Sequence, residues 1–193
     1  MSSDIPSGDR LTDPEKGFLL LVARRAVEAA VRGEPSPDPG KMALAAEIEL
    51  APRLSACGGA FVTLTIEGRL RGCIGYIEGI KPLVDAVAEN GRSAAIRDPR
   101  FPSVTEKELG DIELEVSALT PLVPVARPQE IIIGRHGILL VKEGRRSVFL
   151  PQVAPEQGWD LDTTLTHLAL KAGLGPDDWR TGAEFLVFEA DVF

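Results

Sequence analysis

Apolar positions fall into a few clear patterns along this chain. Leu19, Val22, Ala23, Ala26, Val27, Ala30 and Val31 recur at helical spacing, with Arg24, Arg25, Glu28 and Arg32 on the other side. The pattern predicts an amphipathic helix, capped by Asp13, with Pro14 in its first turn and Gly33 as its stop. Glu34 to Gly40, with prolines at 35, 37 and 39, reads as a stiff connection. Met42 to Leu54 fits a short helix or a strand equally well. A second helical pattern runs through Ile80, Leu83, Val84, Val87, Ala88, Gly91, Ala94 and Ala95, and Asp98-Pro99 ends it.

Other segments have the two-residue period or the β-branched richness of strands. Phe61 to Ile66 and Arg69 to Tyr76 form a predicted hairpin around Glu67-Gly68. In 112–118, Ile112, Leu114, Val116 and Ala118 alternate with Glu113, Glu115 and Ser117, as in a strand with one covered face. Ile131 to Ile133, Ile138 to Val141 and Ser147 to Leu150 are further strand candidates. Thr163 to Ala172 is predicted as a helix, and Phe185 to Phe193 as a last strand. Strands come in groups rather than alternating with helices. We therefore expect an α+β fold, with a mixed, largely antiparallel sheet packed with helices.

Composition narrows the classes. At 193 residues the chain suits one large domain or two small interlocked ones. Residues 1–12 are expected to be a mobile tail and 13–193 the folded part. The hydrophobic fraction of 44% allows a real core, so global disorder is a poor reading. A net charge of −8 disfavours general binding to a phosphate backbone. Met1 to Arg10 lacks the apolar stretch of a signal peptide, and runs such as Phe18 to Ala23 are too short to span a bilayer, so a cytoplasmic location is expected. Cys57 and Cys73 are then expected as thiols. With His136 and His167 they form none of the close-spaced pairs of a zinc site, and no structural metal is expected. No Gly-rich phosphate loop, nucleophile elbow or HExxH motif occurs, and no cofactor is assigned.

The segment richest in chemistry is Leu70-Arg71-Gly72-Cys73-Ile74-Gly75-Tyr76. On a regular strand Leu70, Gly72, Ile74 and Tyr76 share one face, and Arg69, Arg71, Cys73 and Gly75 the other. Arg71 then lies about 7 Å from Cys73, and a guanidinium beside a thiol favours the thiolate. Gly72 and Gly75 would leave open backbone around the sulfur for a ligand. The competing reading makes Cys73 a small core residue and the glycines relief for a tight hairpin or bulge.

Arg97-Asp98-Pro99-Arg100-Phe101-Pro102 offers Arg97 or Arg100 as an anion clamp, or else a rigid loop with a surface ion pair and Phe101 as an anchor. In Gly134-Arg135-His136-Gly137, His136 is a proton carrier or the seal of a turn. Gln152 and Trp159 line a pocket, or Trp159 is simply a buried amphipathic side chain. His167, between Leu165 and Leu168, reads as structural.

These residues resemble the AMMECR family, whose prokaryotic members are known as AmmeMemoRadiSam system protein A. The resemblance runs from about Glu15 to Phe193 through ordered motifs. Among them are Leu70-Arg71-Gly72-Cys73-Ile74-Gly75, Asp98-Pro99-Arg100-Phe101-Pro102, His136-Gly137-Ile138 and Leu150-Pro151-Gln152-Val153. It implies an α+β fold with a main mixed sheet and a smaller lobe. It also implies company: a Memo-like protein and a radical-SAM protein. Ala169 stands where some relatives carry cysteine, which argues against a required second thiol there.

Two functions are carried forward. In the first, the chain is an enzyme or enzyme component acting on a small molecule. Cys73, Arg71 and His136 would be its catalytic groups, and Gly72, Gly75, Arg100 and Gln152 its binding groups. In the second, it is a non-catalytic adaptor docking a Memo-like or radical-SAM protein. Nucleic-acid binding is the least favoured reading because of the acidic balance, and no membrane association is expected.

Overall fold

The computed structural model describes residues 11–46 and 49–193. The expected tail at residues 1–12 lies almost entirely outside the described residues. In chain order the elements begin with helices α1 (Asp13–Val31), α2 (Pro39–Ala45) and α3 (Pro52–Ser55). Then come strands β1 (Ala60–Ile66) and β2 (Arg69–Tyr76), helix α4 (Leu83–Ile96), and strands β3 (Ile112–Leu119), β4 (Val123–Val125), β5 (Gly137–Lys142) and β6 (Arg145–Phe149). Helices α5 (Val153–Gln157) and α6 (Leu161–Lys171) and strands β7 (Glu184–Phe188) and β8 (Ala190–Val192) complete the chain. They form two compact units. One runs to Leu119 and takes in Asp191–Phe193, and the other is Thr120–Ala190.

The first unit is a four-stranded sheet in the order β2-β1-β3-β8 with helices on one face. Helix α1 starts one residue earlier than its sequence suggests. The Thr12 N–H and hydroxyl both donate to Glu15, at 2.7 and 2.6 Å, so Thr12 rather than Asp13 is the cap. Its stop is as expected: Gly33 has φ +70°, and Glu34 N–H closes back on Ala29 O at 2.8 Å. Leu19, Val22, Ala23, Ala26 and Val27 are fully buried against α4 and the sheet. Gly91 of α4 lets the two helices approach, since a Cβ there would sit 3.1 Å from Ala23 O. Helix α4 starts at Leu83 rather than Ile80, which is 67% exposed and faces no core.

Strands β1 and β2 form the predicted hairpin, with Glu67 and Gly68 both at positive φ in the turn. The register slips between Leu64 and Thr65: Leu64 opposes Gly72, but Thr65 opposes Leu70, so Arg71 is the extra residue of a bulge. The bulge corrects the expected face assignment. Leu70 moves to the side of Thr65, away from Gly72 and Ile74, and is 43% exposed.

The second unit is the four-stranded sheet β4-β7-β5-β6, antiparallel at every pairing. Ile138, Leu140, Phe185 and Val187 meet Leu165, Leu168 and Ala169 of α6 in its core. The Ser147 hydroxyl donates to Leu168 O at 2.6 Å. Ile131 to Ile133, expected as a strand, forms none: a 3-10 turn at Pro128–Glu130 and the Ile132–His136 turn consume it. The expected strand over 185–193 divides into β7 and β8, which serve different sheets. Both units share an α+β construction of antiparallel sheets packed with helices, as the grouping of strands indicates.

No described helix is long and apolar enough to cross a membrane.

Candidate functional site

The parity of the sheet decides where Cys73 points. Val116 and Phe193 exchange backbone hydrogen bonds at 2.8 and 3.1 Å, so the even residues of β3 face β8. It follows that Phe61 and Thr63 of β1 bond toward β3, and Val62 and Leu64 toward β2. On β2, Gly72 and Ile74 then bond toward β1. The backbone groups of Cys73 and Gly75 point out from the open edge of the sheet. The Cys73 side chain lies on the face opposite the helices, beside Thr63.

The loop after α4 folds over that edge. Arg97 N–H bonds to Ser93 O at 2.7 Å and Val104 N–H to Ala95 O at 2.8 Å, which pins the loop at both ends. Asp98 is thereby buried, at 4% exposure. Its Oδ2 accepts the Cys73 N–H at 2.8 Å and Arg100 Nη2 at 2.6 Å. Its Oδ1 accepts the Arg100 N–H at 3.1 Å and Nε at 2.9 Å. Arg100 Nη2 also donates to Cys73 O at 3.2 Å. Carboxylate and guanidinium together pair with both backbone groups of Cys73, as a neighbouring strand would.

The sulfur is half-buried and accepts a hydrogen bond from the Thr63 hydroxyl at 3.3 Å. The cation next to it is Arg100. Asp98 raises the basicity of that guanidinium, against burial that lowers it. Asp98 in turn is held well below the usual carboxylate range, first by Arg100 and then by the N–H groups of Cys73 and Arg100, against burial that pushes it up.

Arg71 is placed otherwise than its sequence position suggests. The bulge turns its guanidinium to the loop that follows. Nε donates to Glu108 Oε1 at 2.7 Å, and Nη1 and Nη2 reach Pro102 O and Ser103 O at 2.9 and 3.3 Å. Arg71 is therefore a clamp on residues 102–108. The Glu108 carboxyl is drawn down to about 2, by Arg71 first and by the Thr105 N–H, against burial. In Arg71→Gln it should titrate appreciably closer to the ordinary value of about 4.3. A carbon-detected NMR titration of Glu108 checks this, and an unmoved midpoint would show that Arg71 is not what holds it.

Gly72 is also corrected. It is buried, and a Cβ there would sit 2.3 Å from Ala94 O of α4, so it admits the helix rather than a ligand. Gly75 lies under the Phe61 ring, which a Cβ would meet at 2.4 Å. Cys57 is exposed and joined to Pro82 by an isolated bridge. Arg97 is exposed at the C-cap of α4.

His136 and Gln152 belong to the second unit. The His136 ring is buried, and its Nδ1 accepts the Ile132 N–H at 3.0 Å, sealing the five-residue turn from Ile132 to His136. Burial, and then the charge of Arg135, lower its basicity. Gln152 is half-buried at the start of α5 and makes no side-chain cap to the helix. Trp159 is half-buried and stacks on His167, with ring centroids 4.1 Å apart and planes 8° from parallel. His167 is exposed. Asp98 joins the site residues expected from the sequence, and the Asp-Pro-Arg string after a helix end is its signal there. Among the described residues no three His, Cys, Asp or Glu side chains gather closely enough to hold a metal ion.

Comparison with known proteins places the chain in a family. The chain is 43% identical to a protein of Methanosarcina barkeri over 189 residues, covering 95% of this chain and 91% of that one. It is 43% identical to a protein of Methanopyrus kandleri, covering 96% and 91%. The crystal structure of an uncharacterized protein, PH0010, from Pyrococcus horikoshii superposes with a TM-score of 0.77 at 35% identity, covering 91% of this chain and 88% of that one. The sequence model of AMMECR1 matches residues 20–193, and the chain belongs to the AMMECR1 family.

Proposed function

We propose that the chain acts on a small molecule, as an enzyme or enzyme component, at the edge of the first sheet where Cys73 and Arg100 meet. One observation carries this reading. A half-buried sulfur lies beside a guanidinium whose side chain is 53% exposed and whose Nη1 makes no hydrogen bond to a described residue. Cys73 is the group that contacts or attacks the ligand, and Arg100 takes its anionic part. Asp98 positions both, and Arg71 holds the loop that carries Pro102 and Ser103. His136 and Gln152 have no role in this proposal.

The test is alkylation of Cys73 by iodoacetamide in a Cys57→Ser background, with and without denaturant. An accessible sulfur reacts in the folded protein within about tenfold of the rate of free cysteine, and Cys73→Ala then abolishes the cellular phenotype while leaving the fold intact. A sulfur that reacts only after denaturation would overturn the proposal. The adaptor reading would then stand, with the same motif as structure and a Memo-like or radical-SAM protein as partner, and co-purification would test it.

A further inference from the structure

The open edge of β2 offers four backbone groups in a row: Cys73 N–H, Cys73 C=O, Gly75 N–H and Gly75 C=O. The first two are occupied by Asp98 and Arg100. The next two are not. The sheet parity turns the Gly75 groups outward, and no described residue hydrogen-bonds to either. Gly75 is partly exposed. About 7 Å separates equivalent groups two residues apart on a strand. The vacant donor–acceptor pair therefore sits directly beyond the Arg100 guanidinium, on the Cys73 side.

The order of these groups has a direction. A strand running antiparallel to β2 with one residue opposite Gly75 would donate its N–H to Gly75 O and present its C=O to Gly75 N–H. Its next group along the chain lies toward Cys73 O, where Arg100 stands. If that residue is the last of its chain, the group is the second carboxylate oxygen, and it meets a cation whose Nη1 makes no hydrogen bond to a described residue. One carboxylate is then shared between the Gly75 N–H and the guanidinium, and the amide N–H of the same residue is satisfied by Gly75 O. A strand in the parallel direction would aim its carboxylate away from Arg100.

We propose that the edge of β2 at Gly75, with Arg100, binds the C-terminal residue of an extended peptide, antiparallel to β2, with its terminal carboxylate on the Gly75 N–H and Arg100. This rests on the reading of the Cys73–Arg100 edge as the working site and names its ligand class, an N-acylated α-amino carboxylate. Side-chain identity is read weakly here, because the recognised groups are all backbone.

The test uses the full chain, labelled with nitrogen-15, and follows the Gly75 amide. Four probes are titrated: a pool of N-acetyl tripeptides randomised at each position with free carboxylates, the same pool as C-terminal amides, a pool of N-acetyl amino acids, and sodium acetate. The free-carboxylate pool should shift the Gly75 amide saturably and bind about tenfold more tightly than the amide pool, the effect of losing one charge-assisted pair. Arg100→Gln should erase that difference. A Gly75 amide that none of the probes moves overturns the proposal, as does one that acetate moves as strongly as the tripeptides do. N-acetyl amino acids matching the tripeptides would overturn the extended-peptide assignment in favour of a small N-acyl amino acid. Alkylation of Cys73 in the same samples separates the two readings. A reactive sulfur with a silent Gly75 ends this inference alone, and an inert sulfur with a responsive Gly75 ends the proposed thiol chemistry alone.

Discussion

Replacing Asp98 by alanine should lower the stability of the fold by roughly 2–4 kcal/mol, read as a fall in the denaturant midpoint at neutral pH. The carboxylate is buried and accepts four hydrogen bonds, from the N–H groups of Cys73 and Arg100 and from two guanidinium nitrogens. Its loss leaves the Cys73 N–H without a partner on a covered sheet edge. The guanidinium limb contributes less, because Arg100 is 53% exposed and regains water. Asp98→Asn should fall between, since it keeps one acceptor but turns an amide toward Arg100. The effect also has a pH signature. The folded carboxyl lies below its unfolded value of about 3.9, so its contribution is complete above that value and fades as pH falls toward the folded value. The gap between wild type and Asp98→Ala should therefore narrow in acid. A loss under about 0.5 kcal/mol, or a gap that does not change with pH, would remove Asp98 from its place at the centre of the site.

The second large effect is steric. Gly72→Val should cost about 3 kcal/mol or more, or prevent folding. A Cβ at Gly72 would lie 2.3 Å from the carbonyl oxygen of Ala94, which is backbone within a helix and has no rotamer to yield. Helix α4 must shift away from β2, opening the packing around Leu64 and the fully buried Val87. Gly110→Ala is the control, since nothing lies within 4 Å of its added Cβ and its φ is not positive, and it should change stability by no more than about 0.5 kcal/mol. Equal thermal midpoints for the two variants would show that the close approach of α4 to β2 is not required.

What the sequence discloses depends on the range over which each feature is decided. The period of α1 and the β1–β2 hairpin turn are local, and the structure follows them closely; the alternation of β3 holds from Ile112 to Val116 but stops at Ser117, which is buried. The α4 start at Leu83 is not local: Ile80 fits the helical period, yet the chain between β2 and α4 is still turning there and leaves it exposed. The site shows the same division. Cys73, Arg100 and the glycines stand out by residue type. Which arginine stands beside the thiol is decided by a one-residue bulge at Arg71 and by a loop pinned to the end of α4. Neither is visible in a two-residue period. The role of Asp98 is hidden for a related reason, since an Asp-Pro pair reads first as a helix stop and only the tertiary path of the loop brings its carboxylate to Cys73.

The division of 184–193 into β7 and β8 bears on how the protein is made. The segment Asp191–Phe193 pairs with β3 through Val116 and Phe193, yet it follows every residue of the second unit in the chain. During synthesis the helices and first three strands of the first sheet can assemble as they emerge. The far side of β3 stays bare until Phe193 has left the ribosome. A nascent chain stalled within 120–190 would expose an unpaired strand edge, the geometry that recruits chaperones or pairs with a neighbouring polysome product. Completion of the first sheet thus waits on synthesis of the segment that follows the second unit, and the order of translation becomes part of the folding of this protein.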